Sequence, residues 1–280
     1  MNKLLLVDGS NLLFQMFFGM PARIVNADGK AIQGTLGFVG ALLKIIRMTA
    51  PTHIGVLFDG EHANQRAIIN ADYKANRPDY SQTTEEETPF SQLPDIYAAL
   101  DWMKIRYAET TDCETDDWMA AYAKMASADL HVVLSSFDSD FFQLVSDRVS
   151  VLRYRGEKTL CCTPEWVKQK LGIPPSLYAD FKSLIGDSAD NIKGAELIGP
   201  KTAAALLNQY GSLDQILTHA NEISKPALRQ SLLRNTERLK QNHQLIQLTG
   251  NVSIPFEMNE LHYPLPSFST TEVLKAIGLR

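Results

Sequence analysis

The 280-residue sequence has few cysteines and no long apolar run. Its three cysteines, Cys113, Cys161 and Cys162, form no C-x-x-C pair, which argues against a disulfide framework or a zinc site and for a reducing compartment. No apolar run approaches the length of about 18 residues that a membrane span needs. Asp8 interrupts the apolar start after residues 1–7, a pattern that predicts a first strand and not a signal peptide. We therefore expect a cytoplasmic protein with no membrane partner.

The sequence also lacks an excess of positive charge. Its formal net charge of −5 at first argues against a nucleic-acid partner. Net charge averages over patches, however, and cations bound to a cluster of nine carboxylates would leave a mildly basic remainder. The hydrophobic fraction of 45% is enough for one large core or two modest ones.

Strand and helix patterns alternate through the first half of the chain. Short apolar runs rich in β-branched residues predict strands at 3–7, 53–58, 131–136 and 149–153. Helical periodicity is clearest at 35–48, 93–104 and 115–126. This order predicts an α/β fold with a parallel sheet and flanking helices, in which sites form beyond the carboxyl ends of the strands.

The second half of the sequence has a different pattern. Residues 76–90 read as an insertion leading into a helix, and after about residue 163 the predicted helices are 164–171, 176–185, 200–209, 212–219 and 225–247. We therefore predict a first domain at 1–165, with the insertion near 73–100, and a helical second domain at 166–280.

Nine acidic residues occur where the predicted elements begin or end. They are Asp8, Asp59, Glu114, Asp116, Asp117, Asp138, Asp140, Asp187 and Asp190. We read the residues after Asp8 as a turn, Asp138 and Asp140 as pointing the same way from an extended segment, and Asp187 and Asp190 as sharing one side of a helical turn. Taken singly, each acid is at least as well explained as a helix cap or a turn residue.

Taken together, five separate segments deliver acids to one edge of the inferred sheet. Carboxylates packed so closely repel one another and raise each other's pKa, so their convergence predicts compensating hard cations. All-oxygen ligands without histidine or cysteine favour Mg²⁺ or Mn²⁺ over Zn²⁺. Two such ions can activate a water and stabilise the leaving oxygen of a phosphodiester.

Five motifs follow one another along the chain: LLLVDGSN (4–11), FDGEHANQRAIINADYKANRP (58–78), CETDDWMAAYA (113–123), SSFDSDFFQLVSD (135–147) and LIGDSADNIKGAELIGPKTAAALL (184–207). They resemble the signatures of the 5′-nuclease family, which includes the 5′–3′ exonuclease domain of bacterial DNA polymerase I, phage 5′-nucleases and flap endonucleases. The resemblance covers nearly the whole chain. No polymerase sequence follows, so we expect a free-standing member.

The resemblance implies a PIN-like nuclease core, a helix–three-turn–helix DNA-binding domain with a helix–hairpin–helix near 184–220, and Mg²⁺-dependent cleavage of DNA at 5′ flaps and 5′ ends. It implies a tighter metal site and a second site. The first would use Asp8, Asp59, Glu114, Asp116 and Asp138, and the second Asp117, Asp140, Asp187 and Asp190. Asp8, Asp116 and Asp138 are thereby predicted to be catalytic as well as metal-binding, and Arg66 and Lys74 are predicted to be catalytic too. The expected form is a monomer.

Basic residues in the second motif are predicted to meet the substrate. Arg66 and Lys74 lie about two helical turns apart and could reach one phosphate, although a solvated basic face is the alternative. By resemblance, Lys74 is the lysine that offsets charge at the scissile phosphate. Tyr73 could stack on a base or be buried. Arg77 resembles the base of a helical arch through which the 5′ strand passes.

The segment 194–202 superficially resembles a P-loop, but Pro200 interrupts that pattern. We read it as the hairpin of a helix–hairpin–helix, where N–H groups at the start of the next helix grip duplex phosphates. The predicted DNA contacts of the second domain are Ser183, Gly199, Lys201 and Thr202. By resemblance, K⁺ could also bind at the hairpin.

Two positions depart from the family pattern. Gln15 follows Phe14 where many relatives have Tyr-Arg, and Leu197 occupies a position that is usually glycine. Since leucine does not easily adopt positive φ, we expect a reshaped hairpin and a weakened K⁺ site.

Three other functions remain open at this stage. A PIN-like ribonuclease would share the chemistry but commonly lacks the helix–hairpin–helix segment. A non-catalytic DNA-junction binding protein would be expected to lose metal ligands. A soluble α/β protein with a solvated acidic edge would show no ordered motif series.

Overall fold

The computed structural model describes residues 2–20, 22–60, 65–76, 88–264 and 268–279. A six-stranded sheet and a two-stranded hairpin account for its strands. In chain order they are β1 (Lys3–Asp8), β2 (His53–Phe58), β3 (Arg106–Glu109), β4 (His131–Ser135), β5 (Val149–Arg153), β6 (Leu160–Cys162), β7 (Gly186–Asp187) and β8 (Ile192–Lys193).

The main sheet has the order β3-β2-β1-β4-β5-β6. All neighbouring strands in it are parallel except β5 and β6. The four predicted strands are confirmed, and so is the fold class. Prediction missed β3 and β6 because both are short: β3 has four residues with a charged residue at each end, and β6 has three residues.

Helices flank the sheet and make up most of the second half. They are α1 (Gly9–Gly19), α2 (Gln33–Thr49), α3 (Gln65–Ile69), α4 (Leu93–Met103), α5 (Thr115–Ala126), α6 (Pro164–Leu171), α7 (Tyr178–Ile185), α8 (Pro200–Tyr210), α9 (Leu213–Thr218), α10 (Pro226–Arg234), α11 (Thr236–Ile246) and α12 (Thr270–Ala276). No helix within the described ranges combines the length and apolar character needed to cross a membrane.

Two helical predictions need correction. Residues 9–11 begin α1 instead of forming a turn, because the Asp8 carboxylate accepts the Asn11 N–H at 2.9 Å and caps the helix. The single helix expected at 225–247 is two helices that meet at Asn235. The long apolar periodicity continues across this junction, so periodicity did not reveal the break.

Alternation along β1 builds a separate core on each face of the sheet. Leu5 and Val7 face one core, which α2 and α4 cover, whereas Leu4 and Leu6 face the other, which α5 covers. Burial on both faces explains the unbroken apolar run of a central parallel strand. It also holds the carboxyl end of β1, and with it Asp8, in the middle of the sheet edge.

The second half contains its own core, built from α7 to α11. The chain then returns to the first half: Leu261 and Tyr263 join the two sheet cores, and α12 packs on α2 and α4. The domain boundary at 165/166 stays a prediction, with the qualification that residues after about 248 pack largely on the sheet domain.

Candidate metal centre

The acidic cluster begins at the carboxyl ends of the central strands. Asp8 ends β1 and Asp59 follows β2, so the parallel register brings both to one edge of the sheet. Asp8 accepts hydrogen bonds from Asn11 N and, at 2.8 Å, from the hydroxyl of Ser136 beyond β4. Asp59 accepts the Thr115 N–H at 3.0 Å, which ties the start of α5 to the same edge. The predicted convergence is confirmed for these acids.

Burial and mutual repulsion raise the pKa values of several acids in the cluster. Burial raises the pKa of Asp8 to about 7, and the charges of Asp59 and Asp138 add to the rise. Burial, together with Asp138, also raises the pKa of Asp116 well above its usual range, although Lys74 opposes the effect. Burial likewise raises the pKa of Asp138. A bound cation would relieve this repulsion.

A second group of acids lies beside the first. Carboxylate oxygens of Asp140, Asp187 and Asp190 lie within 4.8 Å of one another, which is suitable for one cation. Burial, followed by the charge of Asp138, raises the pKa of Asp140 to about 8. Its Oδ1 is buried and has no hydrogen-bond partner within the described part of the chain. An all-oxygen set with an orphaned buried oxygen fits a hard divalent cation.

The local conformations of these acids differ from the prediction. β4 ends at Ser135, and Asp140 begins a 3₁₀ turn in which its N–H donates to Asp138 Oδ1 at 2.8 Å. Asp187 and Asp190 lie in the β7–β8 hairpin and its turn, not in a helical turn. A turn and a hairpin thus produce the closeness that we had assigned to strand and helix periodicity.

Two basic side chains contact Glu114, the residue that caps α5. Lys74 Nζ lies 2.7 Å from Glu114 Oε1, and Arg66 pairs with Oε2. Burial alone would raise the pKa of Glu114, but Lys74 and Arg66 outweigh it and hold that pKa below its usual value. Glu114 is therefore a charged carboxylate that fixes the side chains of Lys74 and Arg66 at the border of the acidic cluster.

Arg66 and Lys74 both contact Glu114, so the structure brings them together, although not through two turns of one helix. Their contact with a phosphate stays a prediction. α3 ends at Ile69, and Lys74 lies in a following turn with φ +57°. The Tyr73 hydroxyl donates to Glu114 at 3.2 Å, and only 7% of Tyr73 is exposed. The prediction that Tyr73 stacks on a base is therefore wrong for this conformation, and the alternative prediction, a buried tyrosine, is correct.

Asp117 does not belong to the second acidic group. Its Oδ1 receives Arg66 at 2.7 Å, and its Oδ2 accepts the Glu114 N–H in a capping box. Of the residues that the structure describes, the close group contains Asp140, Asp187 and Asp190 only. The local role of Asp117 is to cap α5 and orient Arg66.

Sequence reasoning missed a lysine of the site. Lys182 Nζ lies 2.5 Å from Asp187 Oδ2, both side chains are largely buried, and its charge lowers the pKa of Asp140. Lys182 lies in the last turn of α7, five residues before Asp187, so its sequence proximity to the acidic pair was the available signal.

The predicted phosphate-binding residues of the second domain have different surroundings. Gly199 caps α8 without a side-chain hydrogen bond, and Lys201 and Thr202 lie in the first turn, which has no acidic residue. Leu197 adopts φ +67° and is 70% exposed. The hairpin therefore keeps a left-handed residue at this position, contrary to the reshaping we expected.

Ser183 cannot contact a phosphate in this structure. It is fully buried, and its hydroxyl donates to the Ala179 carbonyl at 2.6 Å inside α7. Gln15 also points inward, donating to the Tyr154 carbonyl at 2.8 Å. Arg77 and residues 78–87 of the predicted arch lie outside the described residues.

Comparison with known families covers most of the chain. Residues 3–172 match the model of the 5′-3′ exonuclease N-terminal resolvase-like domain, and residues 173–268 match that of the 5′-3′ exonuclease C-terminal SAM fold. DNA polymerase I of Rhizobium leguminosarum is 35% identical over 266 residues, covering 92% of this chain and 26% of that protein. The thermostable DNA polymerase I of Thermus thermophilus is 32% identical over 263 residues, covering 94% and 30%. The chain thus spans less than a third of these relatives.

Solved structures share the fold. The bacteriophage T5 D15 protein co-crystallised with metal ions gives a TM-score of 0.72 at 24% identity, covering 99% of this chain and 94% of that chain. The catalytic core of Rad2 in complex with DNA substrate gives 0.61 at 14% identity, covering 99% and 88%.

Proposed function

Since the chain belongs to the 5′-3′ exonuclease family, we propose that it is a Mg²⁺-dependent, structure-specific 5′-nuclease that hydrolyses DNA phosphodiesters at 5′ flaps and 5′ ends. The observation that carries the proposal is the pair of adjacent buried acid groups, around Asp8 and around Asp140. Buried carboxylates at this density are costly unless a cation compensates them.

The donor chemistry supports Mg²⁺ or Mn²⁺. Only carboxylates contribute to the close group, and neither histidine nor cysteine is a member of it in the described ranges. We assign one ion to Asp8, Asp59, Asp116 and Asp138, with Glu114 at its border, and a second to Asp140, Asp187 and Asp190. When bound, such a pair supplies an activated water and charge stabilisation at the leaving oxygen.

The chain's own residues prepare the site for a phosphate. Glu114 holds Lys74 and Arg66 side by side, so two positive charges stand next to the acids before substrate arrives. The scissile phosphate would compete with Glu114 for Lys74, and the lysine would then offset the charge that develops on the phosphate oxygens. Tyr73 keeps Glu114 oriented through its hydroxyl.

Duplex DNA is the partner that the second domain supports best. The first turn of α8 offers N–H groups with no competing acidic side chain, which is favourable for a phosphate. Lys201 is exposed in that turn, and Thr202 is partly exposed. We include K⁺ binding at the hairpin in the proposal, because Leu197 adopts the left-handed conformation that glycine usually supplies. The proposed acting form is a cytoplasmic monomer.

The decisive experiment compares cleavage of 5′-flap, nicked-duplex and single-stranded DNA, with and without Mg²⁺. We expect Mg²⁺-dependent cutting near the flap junction. Asp116→Asn serves as the inactive match, and an all-RNA flap tests the ribonuclease alternative. Flap binding without cleavage at any Mg²⁺ or Mn²⁺ concentration would indicate a non-catalytic junction-binding protein instead.

A further inference from the structure

Two helices, α10 and α11, hydrogen-bond to the backbone of residues 193–199, the hairpin that precedes α8. Ser231 of α10 donates its hydroxyl to the Glu196 carbonyl at 2.6 Å. From α11, Arg238 donates to the Gly194 carbonyl at 2.9 Å, and Asn242 to the Lys193 carbonyl at 2.9 Å. Ser231 and Asn242 are each only 2% exposed, so water competes little for the bonds that these two side chains donate.

The side chain of Glu196 is held as well. Asn235, at the junction of α10 and α11, donates to Glu196 Oε2 at 2.6 Å, and Arg238 donates to Oε1 at 3.0 Å. Asn235 is itself 7% exposed and also bonds to the Ser231 carbonyl. Glu196 is thus fixed through its carbonyl and both carboxylate oxygens by Ser231, Asn235 and Arg238, a set that we call the hairpin clamp.

The next residue, Leu197, needs such support. Its φ of +67° lies in the left-handed region, where a Cβ is strained and leucine is rare. Its side chain is 70% exposed, so burial contributes little to offset the strain. A leucine in this position keeps its conformation only if the surrounding structure imposes it, whereas a glycine would adopt it unaided.

We propose that Glu196 is a positioning residue: the hairpin clamp holds it, and thereby keeps Leu197 left-handed and the hairpin shaped for duplex binding. The inference rests on the proposed function in one respect, that the hairpin binds duplex DNA. The clamp itself is a property of the free protein, and it can be measured without DNA.

The first test is Glu196→Ala, with Glu237→Ala as its matched control. Both variants lose one acidic side chain of the same domain, but Glu237 is highly exposed, and within the described ranges its side chain pairs with Lys240 alone, at 3.3 Å. Removing negative charge near a polyanion should by itself leave DNA binding unchanged or tighten it. We expect Glu237→Ala to behave this way and Glu196→Ala to weaken duplex binding about tenfold.

Fluorescence anisotropy with duplex DNA in Ca²⁺ measures the Kd, and flap cleavage in Mg²⁺ separates KM from kcat. For Glu196→Ala we expect KM to rise with the Kd while kcat stays within about twofold, since the acid cluster is untouched. In the double variant Glu196→Ala, Leu197→Gly, binding should return to within about twofold of Leu197→Gly alone, because glycine needs no clamp. Arg238→Met is a second route to the same loss, should Glu196→Ala fold poorly by thermal unfolding.

Hydrogen exchange of the amides at 196–199 is the readout that does not depend on DNA. Faster exchange in Glu196→Ala or Arg238→Met, but not in Glu237→Ala, supports the clamp. Unchanged exchange overturns it. If the parent protein binds no duplex, the proposed function fails, and exchange alone decides the clamp. If the parent binds and Glu196→Ala binds as well or better, or Leu197→Gly gives no rescue, the positioning role is refuted.

Discussion

The substitution Asp8→Asn removes one charge from the acidic cluster while leaving the start of α1 intact. Asp8 caps α1 by accepting the Asn11 N–H, and asparagine caps a helix about as well as aspartate. The Ser136 hydroxyl can still donate to the amide oxygen or accept from the amide nitrogen. The change therefore isolates the effect of charge at a buried position.

The expected effect follows from the proton affinity of Asp8. Its pKa rises from 3.8 to about 7 on folding, chiefly by burial and then by Asp59. The folded chain therefore binds this proton more tightly than the unfolded chain, so metal-free stability falls as pH rises from about 4 to about 7. At pH 7 the cost is about 4 kcal/mol. We expect asparagine to recover about half of it, since a buried amide also loses hydration.

Thermal unfolding in EDTA and in Mg²⁺ measures the outcome. Without metal, Asp8→Asn should unfold roughly 4–8 °C above the parent at pH 7. In Mg²⁺ its advantage should shrink and cleavage should be lost. Asp8→Ala is the control: it loses the charge and the cap together, and should gain about 1 kcal/mol less. A metal-free Asp8→Asn that is no more stable than the parent would refute the claim that repulsion and burial strain this site.

Four further outcomes are expected. Asp116→Asn or Asp138→Asn should abolish cleavage and leave flap binding, measured by anisotropy, largely intact; full activity would contradict the two-metal assignment. The Kd for DNA should rise steeply with salt, by a log–log slope of about 0.9 for each phosphate contact, and a flat response would count against DNA. Ser183→Ala should bind duplex as the parent does, because the Ser183 hydroxyl donates to the Ala179 carbonyl within α7 and is not available to a phosphate. Lys182→Met should lower the metal-free Tm, since Asp187 loses its partner, and Mg²⁺ should raise it more than in the parent.

The position of the acids could be predicted from the sequence because local patterns determine it. An apolar run that ends in aspartate predicts both a buried parallel strand and a carboxylate at its end, and β1 with Asp8 and β2 with Asp59 follow that rule. Parallel register then brings the two acids together whatever the details of the loops. One error concerned local conformation, since the carboxylate of Asp8 starts a helix where we predicted a turn. Another concerned membership, since Asp117 pairs with Arg66 and lies outside the second acidic group.

Other parts of the site could not be predicted, since distant segments determine them. Tyr73 is buried because it packs with Ile192 and Leu245, more than 100 residues away, and its hydroxyl reaches Glu114, 41 residues away. Nothing in the local pattern indicates these contacts. The conformation of Leu197 depends on α10 and α11, more than 30 residues later in the chain. Propensity alone argues against a left-handed leucine, and tertiary hydrogen bonds oppose that preference.

One helix connects the acid cluster to the hairpin. On α7, Lys182 reaches Asp187 of the second acidic group, while the Ser183 carbonyl accepts Asn242, which also holds the Lys193 carbonyl. The Leu184 carbonyl then accepts the Ala195 N–H at 2.9 Å. Consecutive residues of one helix thus fix the second acidic group on one side and the start of the hairpin on the other. If the hairpin binds the duplex as proposed, α7 sets its distance from the metal centre. The distance between the bound duplex phosphates and the cleaved bond is therefore a property of the fold and not of the DNA sequence.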